Sequence, residues 1–245
     1  MVFGATGAFA QGIFRGRTPA SSNEMYGNTP YDGRFVFVRL RHGGGLGGFA
    51  GGLPPWAHDY PRADLNFMQI LQEITLLRPR SDGSNILTLN DPALFDFPIA
   101  YMSEPGFWRP TEEDAVGLRA YLLKGGFIIF DDFSGPDWDN LKRQMQRVLS
   151  DHHFVELDGE HPLFHSFFEI DEPLKFIPPY YESGPPSFWG IHEQNDPSKR
   201  LLAVANVNND IGEYWEFSGT GYVPVDLSNE AYKFGVNYVV YAMTH

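Results

Sequence analysis

The chain has 245 residues, 42% of them hydrophobic and 16% aromatic, enough apolar content for one sizeable α/β core and too much for a disordered chain. Its formal net charge of −13, with 18 Lys and Arg, repels phosphate backbones and anionic lipid, which argues against nucleic-acid binding. It contains no cysteine, so thiol nucleophiles, disulfides and cysteine-ligated metals are excluded together.

Residues 1–33 read as an irregular arm, rich beyond Gln11 in Gly, Pro, Ser, Asn and Arg. Ala8-Phe9-Ala10 before Gln11 has the small-x-small form of a signal-peptidase site, although the basic start and long apolar core of a full signal are missing. Export to the periplasm is the expectation drawn from it. No run of about 18 apolar residues is present, so no membrane-spanning helix is expected.

Residues 34–245 read as a single α/β domain. Arg34–His42 alternates apolar and polar residues and predicts a strand. The glycine-rich stretch His42–Gly52 follows. Gly43, Gly45 and Gly48 fit G-x-G-x-x-G, but Pro54-Pro55 and about a dozen residues precede the next helix, and neither the acidic partner nor the lysine of a phosphate cradle follows. The stretch is expected to form a pliable flap.

Pro61–Leu77 is a helix by the spacing of Phe67, Ile70, Leu71, Ile74 and Leu77. Asn85–Leu89 and Phe97–Met102 are strands. Thr111 with Glu112, Glu113 and Asp114 starts a helix whose apolar content is Val116, Tyr121, Leu122 and Leu123; Lys124-Gly125 ends it. Phe127–Phe130 is a continuous apolar run, typical of a strand covered on both faces. Pro136 opens a helix with the stripe Trp138, Leu141, Met145 and Val148. A strand at 153–157, a Pro/Tyr-rich insertion at 171–186, a core strand Leu201–Val207 and a last helix capped by Ser228 complete the pattern. Alternating strands and helices predict a three-layer α/β/α sandwich around a mostly parallel, flavodoxin-like sheet.

Ligands of such sheets bind beyond the carboxyl ends of the strands. The residues there are His42, Ser103, Glu104, Asp131, Asp132, Asn206, Asn208 and Asp210, with Trp56, His58, Asp59 and Asp64 bordering the same edge. Asp132, Glu104, His42 and His58 are the candidate catalytic groups; Asp131, Trp56, Asn206 and Asn208 are candidate ligand-binding groups. Adjacent strand residues point to opposite faces, so only one of Asp131 and Asp132 is expected to face the cleft, the other capping the next helix or a nearby turn. No metal site or cofactor is expected, the alternative being a divalent cation on Asp131, Asp132 and Glu104. His161 and His165 have zinc-site spacing, but Pro162 stands where a zinc protease has Glu, so structural roles are expected.

Four stretches, "WAHDYPRADLNF", "FPIAYMSEPG", "LRAYLLKGGFIIFDDF" and "GVNYVVYAMTH", with "HPLFH" between them, together resemble the bacterial domain-of-unknown-function family 4159 (DUF4159), over about residues 35–245. The resemblance implies a fold similar to class I glutamine amidotransferases. There, helix, glycine pair and strand lead into a turn bearing a cysteine nucleophile. Here "AYLLKGG" and "FIIF" lead into Asp131-Asp132, so glutamine hydrolysis by that route is excluded.

Three functions are weighed on this basis. The first is a non-catalytic binding or assembly module, an accessory subunit of a periplasmic or membrane-associated protein complex. The second is a hydrolase or carbohydrate-active enzyme using the edge carboxylates. The third is a metal- or small-ligand-binding protein at the same edge. The first is the favoured expectation.

Overall fold

A computed structural model describes residues 27–43, 53–175 and 184–245. Its elements run β1 (Val38–Leu40), α1 (Arg62–Ile74), β2 (Asn85–Leu87), β3 (Ile99–Ser103), α2 (Glu112–Leu123), β4 (Phe127–Asp131), α3 (Gly135–Val148), β5 (Val155–Glu156), β6 (Ser187–His192), β7 (Leu201–Val207), α4 (Ile211–Glu216) and α5 (Val225–Thr244). The seven strands form one sheet in the order β2-β1-β3-β4-β7-β6-β5. β2, β1, β3, β4 and β7 are parallel, while β6 and β5 run antiparallel at one end. The α/β/α sandwich expected from the alternation is present, and its five parallel strands follow the flavodoxin-like order.

Period-two alternation decides what each strand gives to each layer. Phe37, Tyr101, Ile129 and Val204 face α1, α4 and α5 in one apolar core. Val38, Met102, Ile128, Phe130, Ala203 and Ala205 face α2 and α3 in the other. The helices are fixed by local hydrogen bonds as well as by burial. Thr111 Oγ1 accepts from Asp114 N at 3.1 Å while Thr111 N donates to Asp114 Oδ2 at 3.0 Å, closing a capping box on α2. Gly125, at φ +116°, ends that helix in the left-handed region that glycine enters without strain.

Several expectations need correction. The ladder of β1 spans only Val38–Leu40, although Phe35 O and Phe37 O still accept from Arg80 N and Asn85 N. On α2, Val116 and Leu123 are exposed; Ala115, Leu118, Tyr121 and Leu122 form the buried face. α3 begins at Gly135, with Ser134 and Asp137 bonded across its start, so neither Asp131 nor Asp132 caps it. α5 begins at Val225, leaving Ser228 buried in the first turn. Two elements went unforeseen. β6 follows the proline-rich stretch, and α4 is too short for a helical period to register.

The flap His42–Gly52 lies largely outside the described residues, as do residues 1–26 of the arm and 176–183 of the expected insertion. The described end of the arm covers the edge strand β2. Asn28 Nδ2 donates to Ile86 O at 2.9 Å, and Asn28 Oδ1 accepts from Ile86 N at 2.8 Å, so one amide side chain occupies the place of a neighbouring strand. No helix among the described residues is long and apolar enough to cross a membrane.

Candidate functional site

The parallel register brings the carboxyl ends of β1, β3, β4 and β7 to one edge, and the segment between β1 and α1 closes over it. Arg39 on β1 holds that segment from below. Its guanidinium is fully buried, pairs with Asp64 at 2.6 Å, and donates to Trp56 O at 3.2 Å and His58 O at 2.8 Å. Ser84 Oγ completes the Asp64 carboxylate at 2.7 Å. A buried guanidinium with these partners sets the backbone position of residues 56–58, because withdrawing any partner leaves a charge or carbonyl uncompensated.

His58 emerges from this clamp beside the turn after β4. Its Nδ1 lies 2.5 Å from Asp132 Oδ2 and 3.5 Å from Asp59 Oδ1. Ser103 Oγ donates to the same Asp132 oxygen at 2.9 Å. Burial opposes a charge on His58, but Asp59 and Asp132 outweigh it and push the imidazole up to about 12. Burial, reinforced by Asp132, raises Glu104 to about 10. Burial likewise holds Asp59 and Asp210 well above the carboxylate range, with the Asp132 charge adding to both.

The backbone here is strained. Asp59, Glu104, Asp132 and Asn208 have φ of 62°, 52°, 60° and 56°, four of the six non-glycine residues with positive φ among those described. Residues held in this region cost free energy and cluster where a side chain must be aimed.

Asp131 and Asp132 diverge as alternation requires. Asp131 turns into the molecule, where Tyr101 Oη donates to it at 2.8 Å, Asn206 Nδ2 at 2.9 Å and Gly212 N at 3.0 Å. Asn206 Oδ1 in turn accepts from Tyr238 at 2.8 Å. Asp131 and Asn206 are thereby committed to an internal network, with burial holding Asp131 up at about 6 against its donors. Asp132 alone of the pair meets His58.

The other sequence candidates make different contacts. His42 is buried, with Nε2 3.0 Å from Ser103 O, and burial pushes it down to about 4. Trp56 packs with Ala57, Ile86 and Tyr60. Asn208 donates to Pro185 O at 3.2 Å. His161 and His165 do not share a ligand. His161 Nδ1 accepts from Leu163 N, and its Nε2 meets His192 Nε2 at 3.3 Å; His165 bonds Glu169 and Gly159 O.

What the fold does bring together is a different set. One donor atom each from His58, Asp59, Asp132 and Asp210 lies within 4.8 Å of the others, and Asp59, Glu213 and Glu216 form a second such group. Asp210 Oδ1 caps α4 by accepting from Glu213 N at 2.8 Å, leaving its other oxygen for the cluster. Glu213 and Glu216 are half-buried, and burial raises both to about 7. The Asp59 side chain is fully buried, yet neither of its oxygens accepts a hydrogen bond from an amide, hydroxyl or imidazole. The cation set expected from the sequence, Asp131, Asp132 and Glu104, therefore shares only Asp132 with the set the structure assembles.

Residues 36–243 match the family model described as "Domain of unknown function (DUF4159)". The chain belongs to this family. No curated protein matches it. In this DUF4159 chain Asp59 and Asp210 were visible as edge residues, but Glu213 and Glu216 were missed. The available signal was Asp210 three residues before Glu213, the spacing of a helix start.

Proposed function

We propose that this domain is a hydrolase that holds a divalent cation at the carboxyl edge of its sheet, on His58, Asp59, Asp132 and Asp210. The observation that carries the reading is Asp59, a buried carboxylate that accepts from no amide, hydroxyl or imidazole, inside a cluster whose ligand-type atoms all lie within 4.8 Å. Buried carboxylates persist when paired or coordinating. A span of 4.8 Å suits ligands arranged around one ion, whose bonds run about 2.0–2.4 Å. With the cation taking the place of the His58 proton, which binding releases to solvent, a donor set of one imidazole and three carboxylates suits Mn²⁺ or Zn²⁺ better than the oxygen-only preference of Ca²⁺.

A cation held by these residues would supply a water acidic enough to be deprotonated near neutral pH and so attack an electrophilic centre of the substrate as the bond to the leaving group breaks. Glu104, kept neutral by burial beside Asp132, would be the group to give a proton to the departing atom and regain one from solvent. The test is equilibrium dialysis of the purified chain against Mn²⁺ and Zn²⁺, with a panel of ester, amide and phosphoester substrates assayed with and without chelator. Bound cation, with activity lost both on chelation and in Asp132→Asn, supports the reading. Absence of binding, or activity indifferent to chelator, overturns it.

A second reading is the accessory module expected from the sequence, an exported subunit of a membrane-associated complex on an amidotransferase-like fold. It is favoured by the turn after β4, where Asp132 stands at φ 60° between strand and helix in the place of a nucleophile. Native co-purification tests it; a chain recovered without partners from its own cells argues against it.

A further inference from the structure

Two groups of ligand-type atoms meet in this pocket: Asp59, Asp132, Asp210, Glu213 and Glu216 supply carboxylates, and His58 supplies the one imidazole in either group. The guanidinium of Arg39 is spent on Asp64 and on backbone carbonyls.

Asp59 is common to both groups of donor atoms. It offers two oxygens, neither accepts from an amide, hydroxyl or imidazole, the Glu213 carboxyl lies against it, and the side chain is sealed from solvent. A carboxylate shared by two groups of ligand-type atoms has the form of a bridge between two ions. Bridged pairs in hydrolytic sites lie about 3.5–4 Å apart.

The fold keeps Asp59 in place for that role. Its own backbone is left-handed at φ 62°, and its carbonyl accepts from Ala63 N at 3.0 Å in the first turn of α1. Across from it, Gly212 leaves the necessary room. A Cβ there would lie 2.5 Å from Asp59 Oδ2 and 2.8 Å from Tyr101 Oη. The two clusters also differ in depth. Asp132 and Asp210 are buried, whereas Glu213 and Glu216, one helical turn apart on α4, are half-buried.

We propose that Asp59 bridges two divalent cations, an inner one on His58, Asp132 and Asp210 and an outer one on Glu213 and Glu216. The inference rests on the cation reading given above and extends it. The outer ion faces solvent and receives the substrate's electronegative oxygen; the inner ion holds the attacking hydroxide.

The experiment is Mn²⁺ titration of the full chain, counted by the electron paramagnetic resonance signal of free Mn²⁺, with the bound spectrum recorded at saturation. The expected result is two ions per chain and a spin-coupled spectrum. In Glu213→Gln/Glu216→Gln the count should fall from two to one and the coupling should vanish. Those side chains are half-buried, so this variant leaves the core intact; Asp59→Asn, from inside the pocket, should remove the coupling as well. A wild-type count of one, with no coupling and no change in the double variant, overturns the bridge and leaves the single-cation reading standing. A wild-type count of zero overturns both.

Discussion

Replacing Asp59 by Asn should separate what the cluster costs the fold from what it does. The variant keeps the side chain's volume and removes its charge. Two unit charges at the 4.8 Å outer limit of the cluster interact by about 3.5 kcal/mol at an effective dielectric near 20. Asp59 faces four carboxylates, Asp132 and Asp210 in one group and Glu213 and Glu216 in the other, against one imidazole, His58, so at least one such repulsion is uncompensated. Relaxation of the neighbouring side chains, and the proton uptake that burial favours at Asp59 and Asp210, reduce the figure to roughly 1–3 kcal/mol, the range for a buried polar group left unsatisfied. The asparagine amide adds a donor that these carboxylates can accept. In chelator, urea unfolding at neutral pH should therefore find Asp59→Asn more stable than wild type by about 1–3 kcal/mol. Mn²⁺ should reverse the order, since at 100 times its dissociation constant a single bound ion adds about 2.7 kcal/mol to the wild type alone. A variant less stable than wild type in chelator, or one that gains as much from Mn²⁺, would refute the reasoning.

Arg39→Met should cost about 3–5 kcal/mol by thermal or urea unfolding, because it strands the buried Asp64 carboxylate; a loss below 1 kcal/mol would mean that the clamp is dispensable. Gly212→Ala should invert the usual helix preference. Alanine is normally favoured over glycine by roughly 1 kcal/mol inside a helix, but here its Cβ would meet Asp59 Oδ2 at 2.5 Å, so lower stability and at least tenfold weaker Mn²⁺ binding are expected, and a stabilised variant with unchanged affinity contradicts this. His42 supplies a pH test. Its folded value near 4 lies below the ordinary 6.5, so the unfolded chain takes up a proton first. Its contribution is complete above 6.5 and is lost as pH falls towards 4, by about 3 kcal/mol in all. The difference in unfolding free energy between wild type and His42→Gln should slope accordingly between pH 6.5 and 4, and parallel curves would show that His42 does not titrate as placed.

Much of the scaffold was legible because it is written locally. The capping box at Thr111–Asp114, the glycine at 125 and the apolar run of β4 each involve residues a few positions apart, and each appeared where the sequence put it. The misses have local causes too. On α2, Val116 and Leu123 are apolar yet point to solvent, since the helical phase is set by the sheet beneath and not by apolar content. α4 spans six residues, fewer than two turns, so no period could announce it. The candidate site was legible only as a list. Sequence order and parallel topology brought His58, Glu104, Asp132 and Asp210 to one edge, but gave no way to rank them against His42, Trp56 or Asn208.

The sequence by itself determined the alternation of strands and helices, hence a mostly parallel sheet, and with it the edge where polar residues gather. It also excluded thiol chemistry, since no cysteine is present. Only the tertiary structure decided which of those polar residues meet. His58 and Asp132 are 74 positions apart, and their contact depends on Arg39 holding the 56–58 backbone and on Asp132 leaving its strand at positive φ. Asp131, one residue earlier, is consumed by Tyr101, Asn206 and Gly212 N. The physical reason is range. Helix periods and caps are settled by hydrogen bonds among near neighbours, whereas charges buried in one pocket arrive from separate crossovers and acquire their pairing only when the layers close.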